Sequence, residues 1–180
     1  MSTRTQILVE TNEGVKIYKH SDGYPSGVLY TLKELLPAFQ KNRGFDAEYL
    51  TAHISAAFIN QSQKDRAYWD RKQAKKDKAE GKPVEKQKKG FDSFSFTGHG
   101  LDPHFHGDIE FLYYIRKDFS VEVYTPTRGL WQKDNITLQD FRPERKITLE
   151  ELKGLKGRPY CNLDLQTLKP EKKKREKVTA

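Results

Sequence analysis

Thirteen residues, Gly98-His99-Gly100-Leu101-Asp102-Pro103-His104-Phe105-His106-Gly107-Asp108-Ile109-Glu110, hold three of the chain's five histidines and three of its carboxylates. Imidazole and carboxylate groups at that density bind divalent metals, move protons or grip polar ligands. If residues 104 to 110 are extended, the two-residue period puts His104, His106, Asp108 and Glu110 on one face and Phe105, Ile109 and Phe111 on the other. The shared face would suit zinc, manganese or iron, and neighbouring carboxylates would orient a coordinating histidine. This reading makes His104, His106 and Asp108 the ligands of a divalent metal cofactor. In the competing reading Pro103 and Gly107 break the strand, the two histidines lie in a solvated loop, Asp108 caps a turn and Glu110 pairs with a lysine.

A second polar knot, His20-Ser21-Asp22-Gly23-Tyr24-Pro25, follows an early strand. Asp and Gly at a strand end favour an Asx-type turn, and proline fixes the exit into the next element. Read for chemistry, His20 and Asp22 form an acid/base pair or anchor a ligand, with the Tyr24 hydroxyl beside them. Both knots adjoin strand ends of what should be one sheet, so His20 or Asp22 is expected within a side-chain length of the 99 to 110 segment. The ligand-binding set is then His20, Asp22, Tyr24, His99, Asp108 and Glu110. No Gly-x-Ser-x-Gly nucleophile turn and no phosphate-binding glycine loop accompanies them, and Cys161 has no histidine beside it.

His104-Phe105-His106-Gly107-Asp108 resembles the first metal motif of the metallo-β-lactamase family, His-x-His-x-Asp-His. Ile109 stands where the last histidine belongs, no histidine follows His106, and 180 residues are short for that family's fold, so the assignment fails. Three other segments together are similar to a family of small, uncharacterised bacterial and phage proteins. They are Ser2-Thr3-Arg4-Thr5-Gln6-Ile7, the His20 to Pro25 turn with the leucine-rich helix after it, and Gly98-x-Gly100 leading to His106-Gly107-Asp108-Ile109-Glu110-Phe111-x-Tyr113. The resemblance spans roughly residues 2 to 125 and implies a phage or prophage provenance without a reaction. By association it implies a host-interaction or counter-defence factor.

The elements that must position these residues are legible from period and punctuation. Gln6–Glu10 and Val15–His20 are β-rich runs around Thr11-Asn12-Glu13-Gly14, a hairpin. Leu29, Leu32, Leu36 and Phe39 then recur at helical spacing, and Pro37 is expected to kink or divide that helix. Asp46 caps a second helix whose apolar face is Leu50, Ile54, Ala57, Phe58 and Gln61; polar helix formers carry it to about Lys78, before Gly81-Lys82-Pro83. Strands are expected at 91 to 96, at 108 to 117 and at 119 to 124, the last two joined tightly at Lys117-Asp118, with a further edge strand between Trp131 and Phe141. Thr148 caps a short helix and Glu151 closes its capping box. The fold class is α+β: an antiparallel sheet with two main helices packed on one face.

The length allows one domain, residues 1 to 160, with a lysine-rich linker at 76 to 90 and a disordered basic tail at 161 to 180. The net charge of +8 sits in the appendages: residues 64 to 90 carry eleven basic against five acidic groups and residues 169 to 177 six against two, leaving 16 against 18 elsewhere. Two basic arms of this kind would hold phosphates by counterion release, without base readout. On the distal second helix Arg66, Trp69, Arg71 and Lys72 interleave aromatic and basic groups, the best local contact for a partner or nucleic acid. One cysteine excludes an internal disulfide, and no apolar run resembles a signal peptide or membrane span, so a cytoplasmic location is expected. The leading expectation is a phage-type binding protein that engages a host protein or polar ligand; a metal-dependent hydrolase or nuclease comes second and a nucleic-acid binder third.

Overall fold

The short β-branched runs near the N-terminus pair as their turn chemistry requires. In the computed structural model, which describes residues 3–84, 98–156 and 163–170, strand β1 (Thr5–Val9) lies antiparallel to β2 (Lys16–Lys19), with Gln6 opposite Tyr18. Two helices follow, α1 (Pro25–Arg43) and α2 (Ala47–Ala79). The chain returns as β3 (His99–Asp102) against β2, then runs through β4 (Phe111–Ile115), β5 (Val121–Pro126) and β6 (Phe141–Ile147), and closes with α3 (Leu149–Lys153). The sheet order is β3-β2-β1-β4-β5-β6.

The α+β class is as the sequence implies, with one correction: β1 and β4 run parallel at the centre of an otherwise antiparallel sheet. Pleating sends Ile7, Val9, Ile17, Tyr113, Ile115, Val121 and Val123 toward the helices, where Val28, Leu29, Leu32, Leu36 and Phe39 of α1 and Leu50, Ile54 and Phe58 of α2 cover them. The opposite face, Leu8, Leu112, Tyr114, Tyr124 and Phe141, is covered by loops through Phe105, Ile109, Leu130, Ile136 and Leu138.

Pro37 does not divide α1, because the buried Leu32, Leu36 and Phe39 on either side of it hold both halves on the sheet. The Asp46 carboxylate accepts from Tyr49 N at 3.3 Å, and Thr148 and Glu151 complete a capping box. Trp131 to Phe141 is not a strand. It forms two short 3₁₀ turns, Leu130–Gln132 and Leu138–Asp140, and the edge strand begins at Phe141. Within the segment read as a basic tail, Leu163–Asp164 pairs with Lys169–Pro170. That hairpin is held by the Arg145 guanidinium on the Leu165 carbonyl at 2.9 Å, and Leu168 is buried in the main core. The first part of the lysine-rich linker is the end of α2, which runs to Ala79; its residues 85 to 90, the strand expected at 91 to 96, Cys161 and residues 171 to 180 lie outside the described residues. Among the described residues no helix is long and apolar enough to cross a membrane.

Candidate functional site

Strand alternation puts Gln6 and Leu8 of β1, with Arg4 just before it, on the loop-covered face of the sheet, beside Lys16 and Tyr18 of β2 and His20 just after it. Residues 103 to 110 lie across this face as an irregular loop. Gln6, fully buried inside β1, holds the loop like a piece of backbone: its Nε2 donates to the His104 carbonyl at 2.8 Å and its Oε1 accepts from His106 N at 3.0 Å. Lys16 Nζ donates to the Pro103 carbonyl at 2.7 Å and lies over the Phe105 ring. Glu110 N donates to the Arg4 carbonyl at 2.9 Å. A loop tied down by side chains leaves no two-residue period, so His104, His106, Asp108 and Glu110 do not share one strand face.

His106 is the centre of what the loop presents. Its ring stacks on Tyr18 at 4.5 Å with 23° between planes, and its Nε2 lies 2.9 Å from Asp102 Oδ2. Its other nitrogen is 4.0 Å from Asp108, whose second oxygen takes the Arg4 guanidinium at 2.6 Å. The Asp102 carboxyl is held below the usual carboxylate range by hydrogen bonds from His104 N and from the His106 ring. This is a half-exposed histidine flanked by two carboxylates and backed by an aromatic ring, with arginine at its edge.

The two knots do converge. His20 N donates to the Gly98 carbonyl at 2.7 Å, and the Tyr18 hydroxyl is 3.3 Å from His20 Nδ1, so Tyr18 sits between His20 and His106. The pleat nevertheless divides their side chains between two faces. Lys19 and His99, paired across β2 and β3, turn toward α2, where the His99 ring lies parallel to Phe58 at 6.3 Å and the Lys19 ammonium is 5.9 Å from the same ring. Lys19 is buried, its Nζ donates to the Ser21 carbonyl, and its pKa is lowered by burial against the opposing pull of Asp22 and Asp65. Burial and the Asp22 carboxylate push Tyr24 up to about 12. His20 and Asp108 therefore belong to the His106 face, whereas Asp22 and His99 act on Lys19 and Tyr24 hydrogen-bonds Asp22. The Glu110 carboxylate joins neither group among the described residues.

Among the described residues no three His, Cys, Asp or Glu side chains are grouped so as to hold a metal ion. Of the three residues read as ligands, the His104 backbone is tied to Gln6 and Asp102, while the His106 ring and the Asp108 carboxylate are engaged by Asp102 and Arg4. Arg66, Trp69, Arg71 and Lys72 lie on α2 beyond Phe58, its last buried residue. A shallow groove at the far end of the sheet, lined by Arg116, Glu122, Tyr124, Glu144 and Lys146, has its charges engaged internally, with Arg116 on Glu122 and Arg142 on Glu144, both at 2.7 Å.

Sequence reasoning missed Arg4, Gln6, Tyr18, Lys19, Asp102 and Trp131. For the first four the signal was the strand period itself, which sets alternate polar residues of β1 and β2 beside the knots. Trp131, 73% exposed, closes the other side of the loop: a Cβ on Gly107 would lie 3.0 Å from Trp131 Cα. The chain matches no protein-family model, and comparison with curated proteins and with solved structures finds no match to either.

Burial and the nearby Lys19 ammonium lower His99 to about 4 from the ordinary 6.5. The folded state thus favours the neutral ring. Its contribution is complete above pH 6.5, where the unfolded ring is neutral too, and is lost as the pH falls from 6.5 toward 4. After discounting for the ring's partial exposure, about 1 kcal/mol of unfolding free energy should disappear between pH 7 and pH 5. Urea midpoints of the wild type and of His99→Gln at the two pH values check this; an unchanged pH dependence in the variant would show that His99 is not the titrating group.

Proposed function

We propose that the chain is a binding protein of phage or prophage type that works in the host cytoplasm, engaging a host macromolecule, most simply a protein, through the face built by Arg4, Tyr18, His20, His106 and Asp108. Its role would be that of a counter-defence inhibitor. The observation that carries the reading is the stack of His106 on Tyr18 between Asp102 and Asp108, with the backbone of Trp131, whose side chain is exposed, close against Gly107 of the same loop. Aromatic and arginine side chains around a rigid, well-bonded centre are the composition of interface hot spots. Gln6 and Lys16 supply the rigidity by fixing the loop from below.

A hydrolase or nuclease is the second reading, favoured by the Asp102–His106 pair, which has the geometry of a carboxylate orienting a general base. The first reading is preferred because, among the described residues, the pair is already engaged by its own surroundings, with the His106 ring stacked on Tyr18 and facing Asp108, which takes Arg4. Affinity capture from a bacterial host lysate tests it, with wild type, Trp131→Ala and His106→Ala as baits. One host component should be retained by the wild type and reduced at least tenfold, about 1.4 kcal/mol, on each variant. Equal retention by all three baits would refute the assignment of this face.

A further inference from the structure

The distal half of α2 is a second surface, independent of the His106 face. Beyond Phe58 none of its residues is buried, and the helix continues for about 30 Å at 1.5 Å per residue to Ala79. Lys64, Tyr68, Arg71, Lys75 and Lys78 recur at three- and four-residue steps, which places them in one stripe along that length, with Lys72 beside it. A helix whose charges only solvate it sets carboxylates among the lysines at the same spacing. Here the carboxylates lie off the stripe and are engaged elsewhere: Asp65 by Gln61 at 2.9 Å, Asp70 by Arg66, Asp77 by Gln73, and Glu80 by Lys76 and Lys82. Among the described residues Lys64, Arg71, Lys72, Lys75 and Lys78 have no carboxylate within salt-bridge reach.

One exposed aromatic ring, Tyr68, interrupts this row of uncompensated cations, and the next residue, Trp69, flanks it about 100° round the helix. Tyr68 is 55% and Trp69 59% exposed, the rings meet edge to face at 5.5 Å, and the Lys72 ammonium lies 4.7 Å from the Trp69 ring centre. Uncompensated charge calls for a polyanion, and exposed rings in and beside the charged stripe call for flat apolar groups carried by that polyanion. A nucleic-acid single strand combines both, because its phosphates are accessible together with unpaired bases that stack on aromatic side chains. We propose that the stripe from Lys64 to Lys78 is a binding site for single-stranded nucleic acid, in which the lysines and Arg71 track the phosphodiester backbone while Tyr68 and Trp69 receive bases without sequence preference.

The test is fluorescence anisotropy of the full-length protein with a labelled oligothymidylate, the same length of duplex DNA and a labelled polyglutamate, over a salt series. Wild-type affinity for the single strand should fall with a log–log salt slope of about −3, from four or five phosphate contacts at about 0.7 each. Arg71→Gln/Lys72→Gln/Lys75→Gln, which keeps good helix formers, should lower that slope by about 2 and weaken binding more than tenfold at low salt. Tyr68→Ala/Trp69→Ala should weaken single-strand binding about tenfold or more with the slope unchanged. Circular dichroism of each variant checks that the helix persists. Unaltered binding by the triple variant overturns the proposal. So does duplex binding that equals single-strand binding and ignores the aromatic substitutions, or preferential binding of polyglutamate, which would mark the stripe as a surface for an acidic protein.

Discussion

Replacement of Phe58 by alanine is expected to lower the unfolding free energy by about 3–5 kcal/mol, the cost of emptying a fully buried aromatic site. Phe58 is 1% exposed and is the last residue of α2 buried against the sheet. Its ring covers His99 of β3 and Lys19 of β2 at once, so it is the contact through which the helix holds that edge of the sheet. Hydration of the Lys19 ammonium in the opened space would recover a part of the loss, because burial is what depresses its pKa. Trp69→Ala, three turns further along the same helix at a 59% exposed site, is expected to change stability by no more than about 0.5 kcal/mol. Urea unfolding of the two variants measures the contrast. A loss below about 1 kcal/mol for Phe58→Ala would mean that α2 is anchored elsewhere.

Local chemistry wrote the parts of this fold that could be read in advance. The β1–β2 hairpin, the Asp46 cap and the Thr148/Glu151 capping box each depend on residues a few positions apart. The parallel β1–β4 pair depends on partners more than a hundred residues apart, and nothing local announces it. Two apolar patterns misled for the same reason. Leu130, Ile136 and Leu138 imitate an edge strand because they must cover a sheet face, yet they do so from turns; Phe105 and Ile109 imitate strand alternation while anchoring a loop. Convergence of the two polar knots was legible because both adjoin strand ends. Their division was not, since the pleat separates His20 from Lys19, and only the β2–β3 register shows that His99 goes with the latter. Gln6 reads in sequence as an ordinary polar strand residue, and its part in holding His104 and His106 appears only when the loop lies over it.

The His20 to Pro25 segment owes its residue types largely to packing, and Gly27→Ala is the substitution that exposes this. Gly27 is the third residue of α1, and alanine in place of a helical glycine gains at most about 1 kcal/mol from propensity alone. Here the added Cβ would come 2.2 Å from the Asp22 carbonyl oxygen and 3.2 Å from its carbon, a clash with backbone that no rotamer relieves. The turn has little room to retreat. Asp22 holds a left-handed φ of 55°, Gly23 N donates to the Thr3 carbonyl at 2.9 Å, and the Gly23 carbonyl accepts from the wholly buried Tyr113 hydroxyl at 2.9 Å. A Cβ on Gly23 would itself fall 2.7 Å from Thr5, so the turn is pressed against β1 on its other side. Steric cost therefore outweighs propensity, and Gly27→Ala should lose about 3 kcal/mol net, seen as a drop in Tm of roughly 6–12 °C. Gly14→Ala, whose Cβ meets nothing within 4 Å, should stay within about 1 kcal/mol of wild type. Because Tyr18 is set by the β1–β2 pairing and His20 by its hydrogen bond to the Gly98 carbonyl, Gly27→Ala should spare partner binding at a temperature where the variant is folded, while Asp22 and Tyr24 shift. Wild-type stability in Gly27→Ala would show that the turn yields easily, and its Asp22, Tyr24 and Gly23 would then need a reason other than packing.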